Sequence, residues 1–309
     1  MRRRACRGAS VRSLDTSVPF YLVDVFAERP LTGNPLAVVA DAEPLAENVM
    51  RLVAREFNQS ETTFILPPRL AGATWRLRSF TPTGDEVVGA GHNALGAWWW
   101  LATAGRVDLD ADGGAVAAQE IGDRVLPVEV LGRDGRPDAI AMDQAPPEFH
   151  DTVEDPRELA AALDLQPADL AGDAQVVSTG AAHLMVPVRD RSVVARATPD
   201  AARLRAALAD VGGQGCYVYC LDPVSPAAIA HARFFNPTVG IWEDPATGSA
   251  AGPLVSRLVA EGVAPPGSPV FVEQGHTLGR PSRIRVEVDG DRVRIGGAGI
   301  VVAEGVLTV

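Results

Sequence analysis

Two stretches of this chain are written in one grammar, and any fold must find equivalent places for both. Residues 78–105 read RSFTPTGDEVVGAGHNALGAWWWLATAG, and residues 233–262 read RFFNPTVGIWEDPATGSAAGPLVSRLVAEG. In each, an apolar strand runs through a proline-threonine turn into a helix that opens on small residues. Phe80-Thr-Pro82-Thr-Gly84 stands against Phe235-Asn-Pro237-Thr-Val239-Gly240, and Gly91-His92-Asn93-Ala94-Leu95-Gly96 against Thr247-Gly248-Ser249-Ala250-Ala251-Gly252. Pro82 to Gly96 spans 14 positions and Pro237 to Gly252 spans 15, so a single gap aligns them. Small residues at a helix start let a ligand approach the unpaired N–H groups and the positive end of the dipole. Asp244-Pro245 has the composition of such a start, an acid that accepts backbone N–H bonds followed by a proline. The chemistry is expected at this turn.

The rest of the chain repeats around these stretches. FYLVDVFAERPLTGNPLAVVA, 20–40, reads as two short strands joined by a turn, followed by a helix over 45–56. NQSETTFILPP places Glu61 at a helix-to-strand junction. A strand over 74–81 leads to the first glycine-started helix, 91–104, and strands near 125–131 and 138–143 end the first half. In the second half a helical segment over 155–171 precedes QVVSTGAAHLMVPV, 175–188, where Thr179-Gly180 matches Thr32-Gly33. A helix over 200–209, strands over 215–221 and 229–236 and the helix 248–261 follow. Terminal strands are hinged at Asp289-Gly290, a hairpin signal. Matching element order in two halves points to duplication, with a cleft between them.

Composition narrows the chemistry. At 309 residues two domains are expected rather than one. A net charge of −11 argues against nucleic acid or an anionic membrane as partner, and no apolar run reaches the ~18 residues of a membrane span. The chain contains no lysine, so all 28 basic residues are arginine. That removes the Schiff-base lysine of pyridoxal-phosphate enzymes and the lysine of nucleotide-triphosphate loops. The five histidines (His92, His150, His183, His231, His276) are scattered without helical ligand spacing, so no metal and no organic cofactor is expected. Three cysteines (Cys6, Cys216, Cys220) without a metal-type pairing, and no apolar export signal, point to the cytoplasm. Residues 1–17 are basic and are read as a disordered extension.

The motifs VDVFAERPLTGNPLAVV, NQSETTF, GAGHNALGA, EDPATGSA and EQGHTLGRPS occur in an order and at distances that resemble the phenazine-biosynthesis isomerases. These are the PhzF-like family, relatives of diaminopimelate epimerase, and the resemblance covers about residues 18–309. It implies an α+β fold of two pseudo-symmetric domains, each a β-barrel-like sheet around a central helix. The expected domains are 18–130 and 131–296, with a last strand, 297–309, returning to the first. It further implies homodimers and cofactor-independent proton transfer at carbon in a small carboxylate-bearing substrate. The family's type member acts on trans-2,3-dihydro-3-hydroxyanthranilate.

Residue by residue, the resemblance makes Glu61, matched through Ser60-Glu61-Thr62, the proton-shuttling carboxylate. A carboxylate does this work well when burial raises its pKa toward neutrality. His92, matched through Gly91-His92, becomes a substrate hydrogen-bonding group. The helix N-terminus disfavours its imidazolium, so a neutral ring is expected. Asp244 becomes a contact for a substrate amine or hydroxyl, compatible with capping the helix. Ser60 adjoins the site, and Gly91, Gly248, Ser249 and Ala250 would offer N–H groups to a substrate carboxylate. Asn93-Ala94 and Ala251 depart from residues common in the family, which puts substrate identity in doubt. Two rival functions remain. A two-base amino-acid epimerase needs a cysteine at the start of each central helix, where this chain has Gly91-His92 and Gly248-Ser249. A binding protein without catalysis would retain the cleft alone. Trp98, Trp99 and Trp100 lie about 100° apart on a helix, so two are expected inside and one half-exposed, a feature also compatible with a subunit interface.

Overall fold

A computed structural model describes residues 16–309, and among them eighteen strands and six α-helices. The expected N-terminal extension lies outside the described residues except for Thr16 and Ser17. Those two are ordered against the other end of the chain: Thr16 N–H donates to Val309 O (2.9 Å), and Ser17 opens the first strand.

The strands join into one mixed sheet whose pairing order occurs twice. In the first half Ser17–Val25 lies antiparallel to Asn34–Val39, which runs parallel to Thr62–Leu66. Thr62–Leu66 is antiparallel to Trp75–Phe80, which runs parallel to Ala115–Ile121, and that strand is antiparallel to Arg124–Arg133. In the second half the same alternation runs through Gln175–Ser178, Ala182–Pro187, Gly215–Cys220, Ala230–Asn236, Val270–Gln274 and Ser282–Asp289. A parallel pair cannot be closed by a tight turn and needs a crossover. Each parallel pair here is crossed by helix: Glu47–Phe57 and His92–Thr103 in the first half, and Arg191–Arg196 with Ala201–Asp210, then Gly248–Ala260, in the second.

The helices His92–Thr103 and Gly248–Ala260 are buried on nearly every side, as sequences apolar around their whole circumference require. Their glycines set how close they sit. A Cβ at Gly96 would lie 2.6 Å from both Leu36 and Val25, and one at the aligned Gly252 would lie 1.9 Å from Gln144 Oε1. Trp98 and Trp100 are buried, with the Trp98 indole N–H donating to Gln119 Oε1 (2.9 Å), whereas Trp99 is half-buried and lies over Gly299.

Strand pairing joins the halves at two places. Gly299–Thr308 returns to pair with Ser17–Val25, and Arg292–Gly297 pairs with Arg136–Asp143. The strand Arg124–Arg133 runs unbroken through the boundary expected at 130/131. Five further elements were not anticipated: the strands Glu86–Val87, Ala115–Ile121, Glu148–Thr152 and Ile241–Asp244, and the helix Arg191–Arg196, which Asp190 caps by accepting from Ser192 and Val193 N–H. None of the described helices is long and apolar enough to cross a membrane.

Candidate active site

The first residues of both central helices line one cavity of ≈ 290 Å³, with Ser60, Glu61, Gly91 and His92 on one side and His183, Asp244, Gly248 and Ser249 on the other. No side chain caps either helix, so the first-turn N–H groups are left to whatever fills the cavity.

Three local structures aim the ionisable groups. The chain leaves Glu47–Phe57 through Asn58, which takes the left-handed conformation (φ 51°) that asparagine tolerates. It then enters Thr62–Leu66, a strand with every residue buried, so Glu61 is held just ahead of a rigid element. His92 is the first residue of its helix. The loop before it is fixed by Asn93, whose side chain accepts from Gly91 N–H (2.8 Å) and donates to Gly89 O and Ser79 Oγ (both 3.0 Å). Asp244 ends the strand Ile241–Asp244 and is held from the opposite half: Asn34 Nδ2 donates to Asp244 Oδ1 (2.8 Å) and to Ala246 O (2.9 Å).

Asp244 is not a helix cap. The helix starts at Gly248 with Thr247 as its N-cap residue, and Asp244 Oδ2 accepts the Thr247 hydroxyl instead. The acid-proline signal is overridden because the strand pairing of Asp244 with Phe234 and the cross-chain bond from Asn34 already fix the carboxylate. Ala250 also fails its expected role. It is fully buried, and its N–H donates to Thr247 O (3.1 Å); the Gly91 N–H is likewise taken, by Asn93 Oδ1 (2.8 Å), so neither has an N–H to offer a substrate.

Glu61 and His92, thirty-one residues apart in sequence, meet in the cavity: His92 Nε2 lies 2.9 Å from Glu61 Oε2. The approach is close but not aligned as a hydrogen bond, and both atoms remain buried without a hydrogen-bond partner. Burial is the largest influence on Glu61 and pushes its carboxyl up, yet the charge of His92 and the contact with it outweigh burial and leave it below its usual value. Burial likewise pulls the His92 imidazole down, and Glu61 followed by Asp244 outweigh it and hold the ring above its usual value. This reverses the expected charge states. The Glu61 carboxylate at contact distance, with the charge of Asp244 behind it, outweighs the helix N-terminus at the ring. Asp244 is the acid that burial lifts, up to about 6, against the opposing pull of His92, Thr247 and Asn34.

Residues to which the sequence assigns no chemistry, Arg280 and Ser282 among them as expected walls of the cleft, hold this arrangement. Gln274 donates to Asp244 O (2.6 Å) and Thr247 Oγ1 (3.0 Å), while its Oε1 accepts from Thr247 N–H (3.2 Å) and the Tyr217 hydroxyl (2.9 Å). Arg280 reaches across to the first half, where it pairs with buried Asp24 (2.6 Å) and donates to Thr32 O (2.9 Å) and Gly33 O (2.8 Å). Gly33 is fixed there by geometry: its φ is 66°, and a Cβ would fall 2.2 Å from Val25 O. Ser282 Oγ donates to Pro245 O (3.1 Å). His183 also lines the cavity, with Nε2 3.3 Å from Ser249 Oγ and Nδ1 unpartnered, and burial pulls its pKa down to about 4. Asn34, Gln274 and Arg280 stand inside the quoted motifs LTGNP and EQGHTLGRPS, and motif membership was their only signal. Cys216 and Cys220 are buried on Gly215–Cys220 away from the cavity, so among the described residues a two-base epimerase finds no thiol there.

Known proteins resemble this chain over most of its length. Residues 23–305 match the family model of phenazine biosynthesis-like proteins (PhzC-PhzF). An isomerase of Mesorhizobium japonicum whose name calls it uncharacterized is 35% identical, covering 94% of this chain and 98% of its own. The trans-2,3-dihydro-3-hydroxyanthranilate isomerase of Pseudomonas aeruginosa is 34% identical, covering 93% and 98%. The crystal structure of a PhzF-family phenazine biosynthesis protein from Bacillus anthracis superposes with a TM-score of 0.87 at 27% identity, over 95% of this chain and all of that one. The protein is an isomerase of α+β fold. It belongs to the PhzC-PhzF family of phenazine biosynthesis-like proteins.

Proposed function

We propose that the cleft moves a carbon-bound proton within a small cyclic amino or hydroxy acid, in the manner named for the Pseudomonas relative, with Glu61 taking and returning the proton. The observation that carries this reading is the buried contact of Glu61 with His92, whose facing atoms lack hydrogen-bond partners. Burial alone drives the Glu61 carboxyl up and His92 alone drives it down. A substrate carboxylate that engages His92 and the helix N–H groups of Gly248 and Ser249 takes over the histidine's charge. Burial then dominates, and Glu61 becomes a stronger base at the moment the substrate C–H is beside it. The proton passes from one carbon to the Glu61 carboxylate and from there to a second carbon of the same conjugated system, so nothing is consumed. Asp244, oriented by Asn34 and Thr247, accepts a hydrogen bond from the substrate amine or hydroxyl, and Ser60 closes the cavity beside Glu61. A cavity of ≈ 290 Å³ is at the small end of ligand sites and suits a single ring.

The same reading makes the repeated pairing order the trace of two pseudo-symmetric, epimerase-like domains. It gives the enzyme no organic cofactor and a cytoplasmic setting, and it makes the protein a homodimer. The test is Glu61→Gln, which keeps shape and hydrogen bonding but removes the basic site. Turnover and deuterium wash-in from D₂O should fall by roughly 10²–10⁴ while calorimetric affinity for a substrate analogue persists. Turnover within about threefold of the parent would assign the shuttle to another group, and absence of exchange in the parent across cyclic amino acids would leave a binding protein.

A further inference from the structure

On the other face of the strand that carries Gln274 lies a cluster that the proposed reaction does not use, although Glu273 and His276 stand in the motif EQGHTLGRPS. Sequence spacing scatters the histidines, but the fold corrects that picture: ligand atoms of His231, Glu273 and His276 all lie within 4.8 Å of one another. Neighbouring strand residues point to opposite faces, so Gln274 faces Asp244 while Glu273 faces away from it, toward His231 and the loop at Val224 and Ser225.

Three features make this more than a crowded corner. First, the donor set is two imidazoles and one carboxylate, the composition of open zinc-type sites. Second, the positions are fixed. Glu273 accepts from Val224 N–H, Ser225 N–H (3.1 Å) and the His231 ring (Nδ1, 2.9 Å). His276 opens a single turn, His276–Leu278, flanked by two left-handed glycines. A Cβ at Gly275, the first of them, would lie 2.4 Å from Arg280 O and 2.5 Å from Pro245 O, so the turn is pressed against the body of the protein. The two imidazole rings stand 4.9 Å apart. Third, His276 Nδ1 is buried without a hydrogen-bond partner, an unspent polar atom beside the other two ligands. Glu273 and His276 face a cavity of ≈ 200 Å³, which offers an entry path and room for a water as a further ligand. Arg283, also on that cavity, is paired with Glu28 (2.5 Å).

We propose that His231, Glu273 and His276 bind one borderline divalent cation of the Zn²⁺ class, with the fourth position open to this cavity. Bonds of ~2.1 Å at tetrahedral angles place two ligand atoms of one ion ~3.4 Å apart. The longest edge of the cluster must therefore close by up to ~1.4 Å, a movement that rotation of the half-buried His276 ring supplies. The hydrogen bond between His231 and Glu273 gives way to bonds to the ion, its proton moving to the other ring nitrogen of His231. The site braces the segment that carries Gln274 and Arg280 and takes no part in proton transfer.

Tag-free full-length protein, stripped with chelator and dialysed, is titrated with Co²⁺ by visible absorption and with Zn²⁺ by calorimetry. One equivalent should bind, with the intense d–d bands of a low-coordinate site, and Zn²⁺ should raise Tm. His276→Ala should keep the circular dichroism of the stripped parent and weaken binding by roughly 100-fold or more, since even outer partners of ligands are worth 10–100-fold. If the alanine variant loses its fold, His276→Phe, which restores ring volume, carries the same expectation. His92→Ala should bind the ion as the parent does. Less than about half an equivalent bound at ~100 µM free ion overturns the proposal. So does unchanged binding in His276→Ala, which would leave Glu273 as a hydrogen-bonding hub alone.

Discussion

Replacing Asp244 with asparagine should make stability less sensitive to pH, by an amount the structure sets. Burial raises this carboxyl from 3.8 to about 6 in the folded protein. Its folded value therefore lies above its unfolded one, and between the two the native state holds a proton that the unfolded state has lost. Stability falls as pH rises through that window, and the penalty is complete above about 6. Two units at 1.36 kcal/mol each come to ~3 kcal/mol, of which ~2 kcal/mol falls between pH ~4.5 and ~7.5. Asparagine lacks the charge and escapes the penalty. It also loses an acceptor for Asn34 or Thr247, but that cost is independent of pH. The quantity to read is therefore how the variant-minus-parent difference in unfolding free energy changes with pH, from urea titrations followed by tryptophan fluorescence. The difference should move in the variant's favour by ~2 kcal/mol from pH ~4.5 to ~7.5. In a His92→Gln background, which removes the cation that holds Asp244 down, the movement should grow. A difference flat within ~0.5 kcal/mol would refute the reasoning, because it would mean that Asp244 is no harder to ionise folded than unfolded.

Asn34→Ala removes two buried hydrogen bonds and should cost ~2–3 kcal/mol. It also removes a donor that lowers the Asp244 pKa, so the acid limb of kcat/KM should shift to higher pH, and an unmoved limb would reduce Asn34 to a structural role. Arg280→Met strands the buried carboxylate of Asp24 and should destabilise by ~3 kcal/mol or more in urea unfolding. Adding Asp24→Asn should recover part of that loss, and no recovery would show that the main-chain bonds to Thr32 and Gly33 dominate.

The parts of this protein legible in its sequence are those set by local chemistry. The two helices beginning near His92 and Gly248 announce themselves because glycine and small residues precede apolar runs, and the structure starts them at those residues. Glu61 could be placed at a junction because Asn58 closes one helix and a β-branched run begins at Thr62. What stayed hidden depends on partners far along the chain. Asp244 reads as a cap until Asn34, 210 residues away, is seen to hold it, and Arg280 is inert in sequence until it reaches Thr32 and Gly33, nearly 250 residues back. Charge state is the most deeply hidden property. The dipole at a helix start is visible from residue order and favours a neutral His92, yet it amounts to about half a charge spread over a turn. One full charge on Glu61 at 2.9 Å, reinforced by that of Asp244, outweighs it. The acid–base assignment of the cleft is therefore a property of the folded pairing. Whatever molecule separates Glu61 from His92 resets the basicity of the carboxylate that it meets.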